Sequence, residues 1–289
     1  ILTVEGTFAD AVVLETLALS VLNHDSAVAT AASRMSIAAG ERPLAEMGSR
    51  RAAERSAVAA ARAAYIAGFG ATSNLEAGRS WGIPTMGTAA HSWTLLHDSE
   101  EEAFRSQVES MGIGTTLLVD TYDIRTGVET AIRVAGTELG GVRIDSGDLP
   151  IVAGDVRAQL DELGATSTRI TVTSDLDEYA IAALAASPVD AYGVGTSVVT
   201  GSGYPTASMV YKLVARQDAT GSWIGVAKAS ADKASHGGRK AAFRTLVDGV
   251  ATAETVVVSD GFEELGTAAE HPDGRPLQVT FVEAGDIDS

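Results

Sequence analysis

The string GTAAHSW sets His91 at a small-residue turn, and a histidine in such a place can act as a nucleophile or carry a proton. Taken alone, His91 equally suits the first turn of a helix, and its own string leaves both readings open. Five further strings carry reactive or phosphate-binding groups. EMGSRR holds Arg50 and Arg51, VDTYD holds Asp120 and Asp123, and VRIDSGD holds Arg143, Asp145, Ser146 and Asp148. TSDLDE contributes Ser174 and Asp175, and GVGTS contributes Gly193, Gly195, Thr196 and Ser197. Each string has an ordinary reading too. Arg50 and Arg51 beside Glu46 and Glu54 can be a solvated helix start, and DSGD can be a turn that caps the next helix. GVGTS lacks the third glycine of a dinucleotide fingerprint and the lysine of a Walker loop. His91 and His97 do not share a helical face, which argues against a paired-histidine zinc site. Together the strings supply a consistent chemistry. Arginines grip phosphate or carboxylate bidentately, carboxylates take a magnesium ion through its waters, and the N–H groups of a glycine turn cradle phosphate. The combination suits a phosphorylated anionic substrate accompanied by Mg2+.

These groups work together only if the fold gathers them. Each follows a short apolar run that reads as a strand: 44–47, 84–87, 115–120, 141–145, 169–175 and 190–195. Between the runs lie alanine-rich helical patterns at 51–66, 99–111, 127–138, 151–163 and 176–186. A long helix over 7–35, breaking near Asn23 to Asp25, precedes them. Strands alternating with helices imply a parallel sheet, and unbroken alternation favours a (β/α) barrel over an open sheet. Both architectures place chemistry at the C-terminal ends of the strands. After Pro205 the pattern changes. SMVYKLVARQ, GSWIGVAKAS, ATAETVVVSD and RPLQVTFVEAG alternate apolar and polar residues between the turn signals DATGS and HPDGR, an antiparallel signature. The expected organisation is an α/β barrel catalytic domain with an N-terminal linking helix over 1–205, and a β-rich segment of a second domain over 206–289.

Composition narrows the partners. A chain of 289 residues, 45% hydrophobic, can bury a substantial core. A net charge of −17 argues against nucleic acid and anionic membranes. No cysteine is present, so disulfides and thiolate metal sites are excluded, which fits a cytoplasmic setting. The apolar run AVVLETLALSVLN is interrupted by Glu15 and is too short to span a bilayer, and no signal peptide is expected. The chain opens on Ile1 and reads as incomplete at both ends.

The strings VEGTFADAVVLETLALSVLNHDSAVATAASR, EMGSRR, GFGATSNLEAG, GIPTMGTAAHSW, VDTYD, VRIDSGDL, SDLDE, YGVGTSVVTGSGYPTASMVYKLV and KASADKASHGGRKAAFR occur in this order. In that sequence they resemble the nicotinate phosphoribosyltransferases, particularly those of actinobacteria. The resemblance implies the irregular α/β barrel of type II phosphoribosyltransferases, a second β-rich domain and a homodimer. It implies synthesis of nicotinate mononucleotide and pyrophosphate from nicotinate and phosphoribosyl pyrophosphate, coupled to ATP hydrolysis, as the first step of NAD salvage from nicotinate. By the same resemblance His91 is the histidine phosphorylated by ATP, and Asp120 the carboxylate that pairs with it and leaves one ring nitrogen as nucleophile. Arg143, Asp145 and Ser146 line the base and ribose subsites, with Asp145 counted as catalytic, and Arg50 and Arg51 contact substrate. Ser174, Asp175, Gly195 and Thr196 hold the ribose and its 5′-phosphate. Asn74 stands where relatives that use nicotinamide carry aspartate, and a neutral amide avoids repelling the nicotinate carboxylate. The family often has glycine at the position of Ser174, and an aromatic residue from a segment before Ile1 is expected to stack on the base. Nicotinamide or quinolinate as the base, and a non-catalytic ligand-binding remnant, are the alternatives.

Overall fold

The computed structural model describes residues 2–201, 206–229, 235–259, 274–278, 282–283 and 286–287. The chain divides into two compact units, Ala18–Met209 and Ile1–Leu17 with Val210–Ser289. The larger one holds every candidate group. Helix α1 (Phe8–Ala39) runs without a break. Asn23 and Asp25 do not interrupt it because their side chains are engaged away from their own backbone. Asn23 exchanges hydrogen bonds with the backbone of Met209, and Asp25 pairs with Arg62.

The order then follows β1 (Leu44–Glu46), a 3-10 turn (Ser49–Arg51), α2 (Glu54–Ile66), β2 (Ala71–Thr72), α3 (Leu75–Trp81), α4 (His91–Leu96) and α5 (Glu100–Met111). It continues through β3 (Thr116–Leu118), α6 (Ile124–Ala135), β4 (Gly141–Ile144), α7 (Leu149–Glu162), β5 (Arg169–Val172), α8 (Glu178–Ala183), β6 (Ala191–Val194) and α9 (Thr196–Val199). The strands form one parallel sheet in the order β2-β1-β6-β5-β4-β3. The expected strand at 84–87 is only a bridge, Thr85 beside Thr72, and the strand itself is the shorter β2. The chain leaving that bridge, at one edge of the sheet, meets the other edge. Thr88 accepts a hydrogen bond from Arg143 of β4, and His91 contacts Thr121 just after β3. The sheet is thus curled into a half-barrel, in keeping with the (β/α) barrel that the alternation favoured and the irregular α/β barrel that the resemblance implied.

Apolar burial on one face of the sheet holds this arrangement. Leu117, Val142, Ile144, Ile170, Val172 and Val194 of the strands are buried among Val28, Met35, Phe104, Leu160 and Ile181 of the helices. Alanines make close helix approach possible: α1 buries Ala31 and Ala32, and α2 buries Ala57, Ala60, Ala61 and Ala64. Side-chain caps start the helices at fixed points. Asn74, Ser99, Asp123 and Asp177 accept hydrogen bonds from the first turns of α3, α5, α6 and α8. The Asp123 cap starts α6 before the expected Gly127. Among the described residues, no helix is long and apolar enough to cross a membrane.

The smaller unit pairs β7 (Ala215–Gln217) with β8 (Trp223–Gly225), and β9 (Arg239–Val247) with β10 (Val250–Ser259) and β11 (Gly274–Pro276), all antiparallel. Asp248 and Gly249, both at positive φ, make the tight β9–β10 hairpin. β12 (Val282–Glu283) pairs with β13 (Asp286–Ile287). In SMVYKLVARQ only Ala215–Gln217 is strand. The turn residues 271–273, residues 279–281 and 284–285 of RPLQVTFVEAG, and residues 202–205 and 230–234 of the family-like strings lie outside the described residues.

Candidate functional site

Four strand ends meet around a cavity of about 210 Å3. Its lining includes Arg50 and Arg51 after β1, Arg143 and Asp145 at the end of β4, Ser174 and Asp175 after β5, and Gly195 and Thr196 after β6. Backbone packing needs glycine at two points here. A Cβ on Gly48 would lie 2.2 Å from Val199 Cγ1, and one on Gly193 would lie 2.6 Å from Thr173 Cγ2 and 2.7 Å from Met47 Sδ. The turn after β1 can therefore pack against α9, and β6 against Met47 and Thr173, only without those side chains.

Arg143 is held from three sides. Its Nε donates to Thr173 Oγ1 at 2.8 Å, its Nη1 to Thr88 Oγ1 at 2.6 Å, and its Nη2 lies 3.4 Å from Asp145 Oδ1. The Thr173 hydroxyl in turn donates to Asp145 Oδ1. Ser174 has φ +121°, a conformation that favours glycine. Ser174→Gly is accordingly expected to raise unfolding stability by about 1 kcal/mol, read from urea denaturation, with the cavity intact.

His91 opens α4 and sits between carboxylates. Its Nε2 is 3.8 Å from Asp145 Oδ2 and 4.0 Å from Asp120 Oδ1, and its Nδ1 is 3.1 Å from Thr121 Oγ1. The histidine side chain is 41% exposed, whereas that of Asp120 is fully buried. Asp120 Oδ2 accepts from the Asp145 N–H and the Ser146 hydroxyl, each at 2.7 Å. Asp120 Oδ1 is buried with no hydrogen-bond partner among the described residues, and His91 Nε2 lies on its side. The two readings of His91 thus merge: it starts a helix and faces a buried carboxylate. Asp145 belongs to both the histidine cluster and the cavity, so the two form one site.

Asn74 stands outside the cavity. Its Oδ1 caps α3 by accepting from the Ala77 N–H at 2.8 Å, and its Nδ2 donates to Ser49 Oγ at 2.9 Å. Trp93 is a packing residue: its Nε1 donates to the Ala103 carbonyl, and its ring meets that of His97 edge-on at 4.6 Å. Thr88, Thr121 and Thr173 join the site although they were not singled out from the strings. Their only signal is a hydroxyl residue within or beside the charged motifs. Among the described residues, no three histidine or carboxylate side chains are arranged so that they could hold a metal ion by themselves.

Glu100, at the start of α5, carries a carboxyl pushed up to about 7, first by burial and then by the charge of Asp123. Between its ordinary range and that value the folded state keeps a proton that the unfolded chain has released, so stability falls as pH rises across the window. Glu100→Gln should therefore match the native protein near pH 4.5 and exceed it at pH 8. The gain is about 1 kcal/mol after solvent screening, measured by urea unfolding at both pH values.

No family model matches the chain. Over 285 residues it is 57% identical to the nicotinate phosphoribosyltransferase pncB1 of Mycobacterium tuberculosis, an alignment covering 96% of this chain and 59% of that protein. The chain thus spans less than two thirds of that relative's length. Among solved structures, the nicotinate-nucleotide pyrophosphorylase of Pyrococcus furiosus superposes with a TM-score of 0.76 at 27% identity, covering 94% of this chain and 68% of the other. The human nicotinic acid phosphoribosyltransferase superposes with a TM-score of 0.63 at 27% identity, covering 84% and 57%. In sequence nearly end to end along its own length, and in its barrel, the chain is similar to the nicotinate phosphoribosyltransferases.

Proposed function

We propose that this protein joins nicotinate to phosphoribosyl pyrophosphate, forming nicotinate mononucleotide and pyrophosphate for NAD salvage, with ATP cleaved through a phosphorylated His91. The observation that carries the reading is Asp145, which lines the arginine-rich cavity and also lies 3.8 Å from His91 Nε2. One carboxylate so placed can answer charge in both half-reactions.

In the glycosyl step, Arg50, Arg51 and Arg143 neutralise the diphosphate, and the turns at Ser174–Asp175 and Gly195–Thr196 take the 5′-phosphate through their N–H groups. The bond between the anomeric carbon and the diphosphate oxygen breaks with its electron pair leaving on pyrophosphate. Asp145 faces the positive charge that builds on the ribose, and the ring nitrogen of nicotinate donates the pair that forms the new bond. Mg2+ fits a site of this kind because it usually binds through one or two carboxylates plus substrate phosphates. Asp145 is the protein group that would hold it, and the ion would supply charge neutralisation to the diphosphate.

In the coupling step, Asp120 and Asp145 favour a proton on Nε2 of His91, which leaves the Nδ1 lone pair as nucleophile. Nδ1 attacks the terminal phosphorus of ATP and ADP departs. The Thr121 hydroxyl, which occupies Nδ1 here, must then yield. A homodimer, carried over from the resemblance, and a cytoplasmic location, which the absence of cysteine fits, complete the reading. A base-competition assay tests it. With nicotinate, nicotinamide and quinolinate offered together, the mononucleotide formed should be that of nicotinate, and a dominant product from either other base would overturn the assignment.

A further inference from the structure

β1 ends on a carboxylate that the proposed reaction does not use. Glu46 is fully buried. Its Oε1 accepts from the Gly48 N–H at 2.5 Å and its Oε2 from the Thr72 hydroxyl at 2.6 Å, while its backbone carbonyl accepts from the Ser73 N–H at 2.8 Å. Thr72 Oγ1 then accepts from the Asn74 N–H at 3.0 Å, and Asn74 Nδ2 donates to Ser49 Oγ. Ser49 follows Gly48 in the chain, which closes a circuit: Glu46, Thr72, Asn74, Ser49, Gly48 and back to Glu46. The next two residues are Arg50 and Arg51, both lining the cavity. Burial raises the Glu46 carboxyl above its usual range, against the opposing pull of the Thr72 and Gly48 hydrogen bonds. A carboxylate is kept in so dry a place only where its hydrogen bonds are complete, and here both oxygens are engaged by donors that belong to the circuit.

We infer that Glu46, acting through Thr72, Asn74 and Ser49, is the positioning residue that fixes the Arg50–Arg51 turn for anion binding. Long arginine side chains lose much rotamer freedom when they grip a phosphate, and a backbone already held in place lowers that cost. The circuit also gives Asn74 a positioning part, since its amide ties α3 through Oδ1 and Ser49 through Nδ2. The inference rests on reading the cavity as an anion site.

The test is isothermal titration of the full-length protein with inorganic pyrophosphate and Mg2+, using Glu46→Gln, Thr72→Val, Thr72→Ser and the Arg50→Ala/Arg51→Ala double variant. Glu46→Gln leaves one acceptor oxygen where two donors point, and Thr72→Val removes the hydroxyl that serves both of its neighbours. Both variants are expected to weaken pyrophosphate binding about tenfold while still unfolding cooperatively, and Thr72→Ser should stay within about twofold of the parent. In the background lacking both arginines, Glu46→Gln should cost nothing more, which a general loss of structure would not reproduce. The inference is overturned if Glu46→Gln binds as the parent does, or if it loses the same factor without the arginines. Should Glu46→Gln fail to fold, Thr72→Val carries the same two outcomes. If the parent protein itself does not bind pyrophosphate, the anion-site reading falls, and this inference falls with it.

Discussion

Arg143→Ala should lower kcat/KM for phosphoribosyl pyrophosphate by about 10²–10³-fold, in line with loss of one preorganised charge-stabilising group. The side chain is 13% exposed and commits its guanidinium to Thr173, Thr88 and Asp145. Removing it takes a cation from the cavity, leaves Asp145 without its arginine, and releases the Thr88 end of the loop that carries His91. Arg143→Lys restores charge without the planar fork, and it should recover less than about a tenth of the lost activity. Steady-state kinetics over a range of phosphoribosyl pyrophosphate concentrations decide the matter. A lysine variant as active as the parent would mean that point charge, not the three-way geometry, is what the site uses.

His91→Ala carries the second large effect. Transfer of the terminal phosphate of ATP to the protein should cease, and the stimulation of synthesis by ATP, about 5- to 150-fold for a typical coupling, should vanish. Synthesis without ATP should persist, because the arginines, Asp145 and the glycine turn are untouched. Labelled ATP followed by an acid-lability assay reads the first effect, and initial rates with and without ATP read the second. Wild-type stimulation in the alanine variant would remove His91 from the coupling.

Much of this site was legible from residue types alone. Charged and glycine-rich strings following apolar runs placed Arg50, Arg51, Arg143, Asp145, Ser174, Asp175, Gly195 and Thr196 around one cavity, as strand ends in a parallel sheet require. Three features resisted. β2 has only two residues, too few to show a period, so the reading fell on PTMG, which contributes a single bridge. α1 keeps going through Asn23 and Asp25 because their partners, Met209 and Arg62, are distant in sequence. β9 begins RKAAF, a run without the strict alternation of a strand, and it is extended because β10 and β11 flank it. Asn74 shows the same limit in its local contacts. Its motif pointed to substrate, and nothing in the string announced the hydrogen bonds that its amide makes with the Ala77 N–H and Ser49 Oγ. Glu46 gave no signal at all, since a carboxylate beside two arginines reads as a surface pair until burial is known.

The most direct measurement incubates the full-length protein with nicotinate, phosphoribosyl pyrophosphate and Mg2+, with and without ATP, and follows product by chromatography. Nicotinate mononucleotide and pyrophosphate should form in equal amounts, faster when ATP is present. Absence of mononucleotide under both conditions, from a protein shown to be folded, would contradict the account.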